Sequence, residues 1–210
     1  MEYLISPKLE QMLTKITLLI LGIVCLIASC SPKNISTKYY YENSDVLDKI
    51  EETYKELYLL QPFNIAFTDR HFKTIAVEII TDTLSYIYEF EVKEPRLYDT
   101  LVKYHINAPK ALELIQQIQS IRCTWINSYN YYEDEAVNSL IFMSIKPKVL
   151  KSPFSNKKYY ILTYFEQPQY FDSYGRLLDK KQLRRIWEIN GEIFKRINNK
   201  VCYTVSEKFR

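Results

Sequence analysis

The sequence predicts an α+β fold: a single domain over residues 44–210 with a mostly antiparallel sheet and about three helices. Three observations predict it. Strand-like segments come in clusters rather than alternating one for one with helices, which argues against a parallel βαβ array. The helical segments are few and lie between those clusters. Beyond residue 43 there is no repeat and no linker-like stretch, and the chain after residue 29, about 180 residues, is long enough for one core of its own.

The chain begins with an address. Lys15 precedes an apolar run from Ile16 to Ile27, interrupted by Thr17 and Gly22; the small residues Ala28 and Ser29 follow, then Cys30. A positive start, a short apolar core and a small-residue exit describe a secretory signal peptide over residues 1–29. A membrane span would need about 20 apolar residues. Glu2 and Glu10 are out of place in a positive leader, so translation is expected to start at Met12.

Ile27-Ala28-Ser29-Cys30 resembles the lipobox of bacterial lipoproteins. The resemblance covers the signal segment only. It implies cleavage before Cys30, a thioether-linked diacylglycerol on that thiol, and fatty acyl chains such as palmitate. An ordinary signal peptide or membrane anchor is the competing reading. One chain holds a protein to a bilayer only marginally, whereas two or more hold it firmly. Ser31-Pro32 follows Cys30 with neither an Asp at the next position nor an acidic run. That resembles an outer-membrane address in the cell envelope, facing the periplasm. Residues 30–43, rich in Ser, Lys, Asn and Thr, read as the lipidated Cys and a tether.

From Ser44 the pattern becomes helical. Val46, Leu47, Ile50, Tyr54, Leu57 and Tyr58 recur at helical spacing, with Asp48, Glu51, Glu52 and Lys55 on the other side, until Pro62. Phe63–Thr68, Lys73–Ile80 and Leu84–Val92 read as strands; in the last, Leu84, Tyr86, Tyr88, Phe90 and Val92 share one face. Leu97–Ile106 fits strand or helix. Asn107-Ala-Pro109 opens a second helix with Leu112, Ile115, Ile118 and Ile121 in its apolar line. Arg122–Tyr129 reads as a strand, Tyr131–Glu135 as a loop, and Val137–Lys146 with Lys158–Phe165 as an antiparallel pair. Asp179 with Gln182 matches a capping-box spacing, and Leu183, Ile186, Trp187, Asn190, Ile193, Phe194 and Ile197 predict a third helix. Val201–Val205 is a final strand.

Several chemistries are excluded. Only Gly175 and Gly191 lie beyond the signal segment, too few for a phosphate-cradling loop. The nucleophile elbow, H-E-x-x-H and zinc-spaced Cys pairs are missing. No catalytic, cofactor-binding or metal-ligating residue is expected. His71 reads as a surface loop residue and His105 as a partly buried structural one; both precede Cys123, the reverse of a papain-like order. Glu133-Asp134-Glu135 is either a Ca²⁺-holding carboxylate run or a solvated hairpin. Lys180, Lys181, Arg184 and Arg185 are either a contact for anionic lipid or an acidic partner, or a solvated face. The net charge of +3 persists after removal of residues 1–29, because Lys8 and Lys15 cancel Glu2 and Glu10; nucleic acid is not an expected partner.

Cys123 and Cys202 are either a disulfide, which an oxidising envelope permits, or two separately buried thiols. Tyrosine is in surplus at 19 residues. Tyr129, Tyr131, Tyr132, Tyr170 and Tyr174 flank predicted loops and form the candidate binding surface, since Tyr gives rigid area and a polar tip. Asp82-Thr83-Leu84 and Asp99-Thr100-Leu101 resemble the O-glycosylation sequon of exported Bacteroidetes proteins. Three functions stay open. A lipid-anchored interaction or scaffold domain, including an immunity-type protein, leads. A glycan- or solute-binding lipoprotein needs a concave pocket lined by Tyr, Trp125 or Trp187. An enzyme would need two carboxylates with divergent pKa values in a cleft.

Overall fold

The computed structural model describes residues 16–17, 31–133, 136–145 and 158–207. Residues 1–15, 18–30, 134–135, 146–157 and 208–210 lie outside the described residues, and with them Cys30 and most of the expected signal peptide. In chain order the elements are α1 (Pro32–Glu42), α2 (Ser44–Leu60), β1 (Phe63–Phe67), β2 (Thr74–Ile80), β3 (Ser85–Glu91), α3 (Pro95–Lys103), α4 (Ala108–Ser120), β4 (Cys123–Glu133), β5 (Ala136–Ile145), β6 (Tyr159–Phe165), β7 (Glu188–Ile189), β8 (Glu192–Ile193), β9 (Lys195–Arg196) and β10 (Val201–Ser206). Eight strands form one sheet in the order β3-β2-β1-β4-β5-β6-β10-β9, and every neighbouring pair is antiparallel. The chain is an α+β domain, as the strand clustering predicts.

The two faces of the sheet are covered differently. Helices cover the first. Leu47, Ile50, Tyr54 and Leu57 of α2 and Leu114, Ile115 and Ile118 of α4 bury against Ile65, Val77, Ile126, Met143 and Leu162 of the strands. Part of the second face, over β4, β5, β6 and β10, is covered by residues 166–198. There Leu177, Ile189 and Phe194 pack on Trp125, Leu140, Phe142, Ile161 and Phe165. β6 and β10 are sheet neighbours, with Tyr164 opposite Val201, so a short hairpin would join them. The intervening excursion instead builds the second core.

Residues 31–43 are not the tether expected from their polar composition. Ser31 caps α1 by accepting the N–H of Asn34 at 3.2 Å, and Pro32 occupies the first turn. Ser36, Tyr39 and Tyr40 are buried, a three- and four-residue spacing that the polar composition hid. The Tyr39 hydroxyl donates to the carbonyl of Ile121. Asn43 does not cap α2 with its side chain; its amide donates to Tyr39 O at 2.8 Å and ties the two helices together.

Leu97–Ile106 is helix α3 followed by a tight C-terminal turn. His105 takes φ 59° there, with its N–H on Val102 O and the Ile106 N–H on Leu101 O. This is a Schellman ending, with Leu101 and Ile106 both buried. His105 is therefore exposed rather than partly buried, because the left-handed position lies outside the helix.

The third helix does not form. Asp179 Oδ1 accepts the Lys181 N–H at 2.9 Å, and Asp179 N donates back to Arg185 O at 2.9 Å, closing a compact turn instead of starting a helix. Glu188 pairs with Ile193 and Ile189 with Glu192, so Asn190-Gly191 is a two-residue hairpin loop. Both central residues have positive φ, 53° and 75°, as a type I′ turn demands. A loop was also expected at Tyr131–Glu135. Instead β4 runs to Glu133, with Tyr131 opposite Asn138 and Tyr132 opposite Val137.

Cys123 and Cys202 are free thiols. β4 and β10 are separated by β5 and β6, about 14 Å at the usual strand spacing. The two residues also belong to the cores on opposite faces. A disulfide needs Cα atoms within roughly 7 Å. Burial raises both thiols, Cys123 to about 12.

Candidate binding groove

A concavity runs along the outer flank of α2. It is an open groove of about 1120 Å³. One wall is the polar side of α2: Asp48, Glu51, Glu52, Lys55 and Glu56, with Leu59 at the end. The other is the β9–β10 turn, Arg196 to Val201, with Glu166. Tyr40, Tyr41 and Tyr164 lie between them.

Each wall has a sequence reason. The apolar stripe of α2 turns its acidic side away from the core, and the β6–β10 excursion returns the chain alongside that side. Asn198 locks the turn: its Oδ1 accepts the N–H groups of Lys200 and Val201 at 2.8 and 2.7 Å. Its Nδ2 donates to Tyr40 Oη at 3.0 Å, joining the turn to α1. The Tyr40 and Tyr164 rings lie 6.4 Å apart.

Charge in the groove is uneven. Lys55 is held by Glu166 at 2.7 Å. Glu56 is held by Lys110. Arg196 donates to Asn199 Oδ1 at 2.5 Å and lies over the Phe171 ring. Among the described residues, Asp48, Glu51 and Glu52 form no ion pair. Burial raises the Asp48 carboxyl, and Asp45 adds to it. Burial also raises Glu51, with Asp48 and Glu52 pushing up and Lys55 and Lys200 pulling down. Two carboxylates that divide acid and base roles need pKa values pushed apart. These two move in the same direction.

Tyr164 sits at the groove floor with 7% of its surface exposed. Its hydroxyl is buried with no hydrogen-bond partner. Burial pushes it far up, and Tyr40, Asp48 and Glu51 add to that. A buried hydroxyl without a partner costs about 1–3 kcal/mol.

A second, smaller cavity of about 200 Å³ shares Lys55 and Leu59 with the groove. It marks a split in the sheet. β1 pairs with β4 only at Ile65–Ile126 and Ala66–Trp125. Beyond that the strands part, and Tyr54 Oη donates to the carbonyl of Phe63 at 2.7 Å. Ser128, Asn130 and Ser139 line the split.

The tyrosines expected to bind are dispersed. Tyr129 is exposed on β4, while Tyr131 packs its ring 5.3 Å from Trp187 and serves the second core. Tyr132 is in β4 by its backbone. Tyr170 and Tyr174 are exposed on the excursion, Tyr174 beneath Arg176. None of the five lines the groove, whose aromatics are Tyr40, Tyr41, Tyr164 and Phe165. Trp125 and Trp187 pack in the second core. His71 is exposed in the turn that Asp69 closes. Lys180, Lys181, Arg184 and Arg185 are exposed on the closed turn before β7. The first sequon-like tripeptide is in an exposed turn; the second falls within α3, with Leu101 buried.

No helix of the described residues is long and apolar enough to cross a membrane. No protein-family model, curated protein or solved structure matches the chain.

Proposed function

We propose that the chain is a lipid-anchored protein of the bacterial envelope whose domain is an interaction module, holding a partner protein in the groove along α2. The signal segment ending Ile27-Ala28-Ser29-Cys30 supports the anchor and the outer-membrane, periplasm-facing location. The groove supports the binding role. At about 1120 Å³ and open along its length, it exceeds the usual enclosed small-molecule site and suits a chain segment.

The test is cross-linking from a photoreactive residue placed at Leu59, which is 76% exposed at the groove end. The same protein is fractionated with Cys30 intact and as Cys30→Ala. The expected result is one stoichiometric cross-linked protein and loss of membrane association in Cys30→Ala. A monomer recovered alone across growth conditions argues against the partner; unchanged membrane association argues against the lipid.

A glycan is the second reading for the same groove. Tyr41 is 61% exposed beside Asn199 and Asp48, and rings with amides and carboxylates suit a sugar. A soluble glycan that prevents the Leu59 cross-link would favour it.

A further inference from the structure

We infer that the groove recognises a basic, partly apolar polypeptide segment in extended form, its Lys or Arg side chains reaching the acidic wall of α2. This rests on the interaction reading above and names the chemistry of the partner.

The charges carry it first. Once the ion pairs Lys55–Glu166 and Glu56–Lys110 are set aside, the described lining keeps three carboxylates outside any ion pair, Asp48, Glu51 and Glu52, against two cations, Lys200 and Arg196, the latter hydrogen-bonded to the neutral Asn199. The whole chain is positive, at +3. The groove thus opposes the sign of the molecule carrying it, and a cation is drawn to it in preference to the rest of the surface.

The floor carries it second, and independently. The Tyr164 hydroxyl is buried, unpartnered and flanked by Tyr40, Asp48 and Glu51. An ammonium or guanidinium cannot accept a hydrogen bond, but it donates several. A donor entering beside Asp48 and Glu51 supplies what the Tyr164 oxygen lacks. An anion would meet the carboxylates of Asp48, which is exposed, and Glu51, which is half-buried.

Length and apolarity carry it third. From Asp48 to Leu59 the helix rises about 16 Å, the span of about five extended residues. Leu59 is 76% exposed at the end of that wall, and Tyr41 is 61% exposed. A small polyamine would satisfy the carboxylates and leave these apolar side chains in water. A segment alternating basic and apolar residues satisfies both.

The experiment titrates the mature, acylated chain in non-ionic micelles. The probes are a blocked six-residue peptide alternating Lys and Val, the same peptide with Glu for Lys, and spermine. We expect saturable binding of the Lys peptide, weakened at least tenfold by Glu51→Gln with Glu52→Gln and weakened by added salt. We expect no binding of the Glu peptide, and weaker binding of spermine. Tyr164→Phe is expected to weaken the Lys peptide at least threefold while melting no lower than the parent, which separates a lost contact from a lost fold. Equal binding of both peptides, or no effect of the Glu51/Glu52 pair, overturns the inference. Spermine binding as tightly as the peptide overturns the polypeptide assignment. If Leu59 still cross-links a protein whose capture ignores the Glu51/Glu52 change, this inference fails and the interaction reading survives; if neither peptide nor protein is held, both fail.

Discussion

Asn198 joins parts of the chain far apart in sequence. Its oxygen shapes the turn into β10, and its nitrogen reaches the Tyr40 hydroxyl on α1. Asn198→Ala removes three hydrogen bonds at a partly buried position. The expected cost is roughly 1–2 kcal/mol in denaturant unfolding, because an orphaned partner costs more than a bond contributes. Glu51 works in the opposite sense. Its folded-state pKa is raised mainly by burial, so the native state holds the proton more tightly than the unfolded chain. Stability from this group is full below the ordinary carboxylate range and is lost as pH rises through it and past the raised folded value. Asp48, Glu52, Lys55 and Lys200 face it. Glu51→Gln should therefore raise the melting temperature at pH 7, with the gain vanishing in acid. A gain of the same size at pH 3 would contradict this account. At this scale the sequence was half legible. The helical period separates Leu47, Ile50, Tyr54 and Leu57 from Asp48, Glu51 and Lys55. It cannot show that Asn198 and Lys200, far along the chain, return to the polar side and turn a solvated face into a wall.

Among elements, the stretch after Asp179 shows one local signal overriding another. Leu183, Ile186, Trp187, Asn190, Ile193 and Phe194 carry a helical period, and Asp179 offers a cap. Asn190-Gly191 carries the opposite instruction, since both residues tolerate the left-handed backbone of a type I′ turn. The turn wins because Ile189 and Phe194 bury on the second face of the sheet from either side of the hairpin. The dipeptide was visible in the sequence; the surface that makes use of it was not. At Gly191 a Cβ would meet nothing within 4 Å, so Gly191→Ala isolates the backbone cost. It should destabilise by about 1–2 kcal/mol. The tether reading of residues 31–43 failed for a related reason. The polar composition hides position: Ser31-Pro32 is a helix start whose buried spacing uses Ser36, Tyr39 and Tyr40 in place of aliphatic residues.

For the whole molecule, the fold class was legible because strand clustering is local information. The strand order was not, because β4 inserts between β1 and β5 after two helices have crossed a face of the sheet. The second core was the least legible part, as it is assembled from short pieces of residues 166–198 with no periodicity of their own. Phe194 is its fully buried centre, and Phe194→Ala should cost about 3–5 kcal/mol, measured by denaturant unfolding.

The start of α1 has a mechanical consequence. Ser31 is already a helix cap, and ten residues later the same helix supplies Tyr41 to the groove. With Cys30 acylated as proposed, almost no slack separates the lipid from the domain. The domain is then bolted to the bilayer rather than leashed to it, and the groove rides at a set height, no more than one short helix of about 16 Å from its attachment point. A leashed domain sweeps a hemisphere and meets partners at many heights. A bolted one patrols a plane, and meets only what is presented close to the membrane surface.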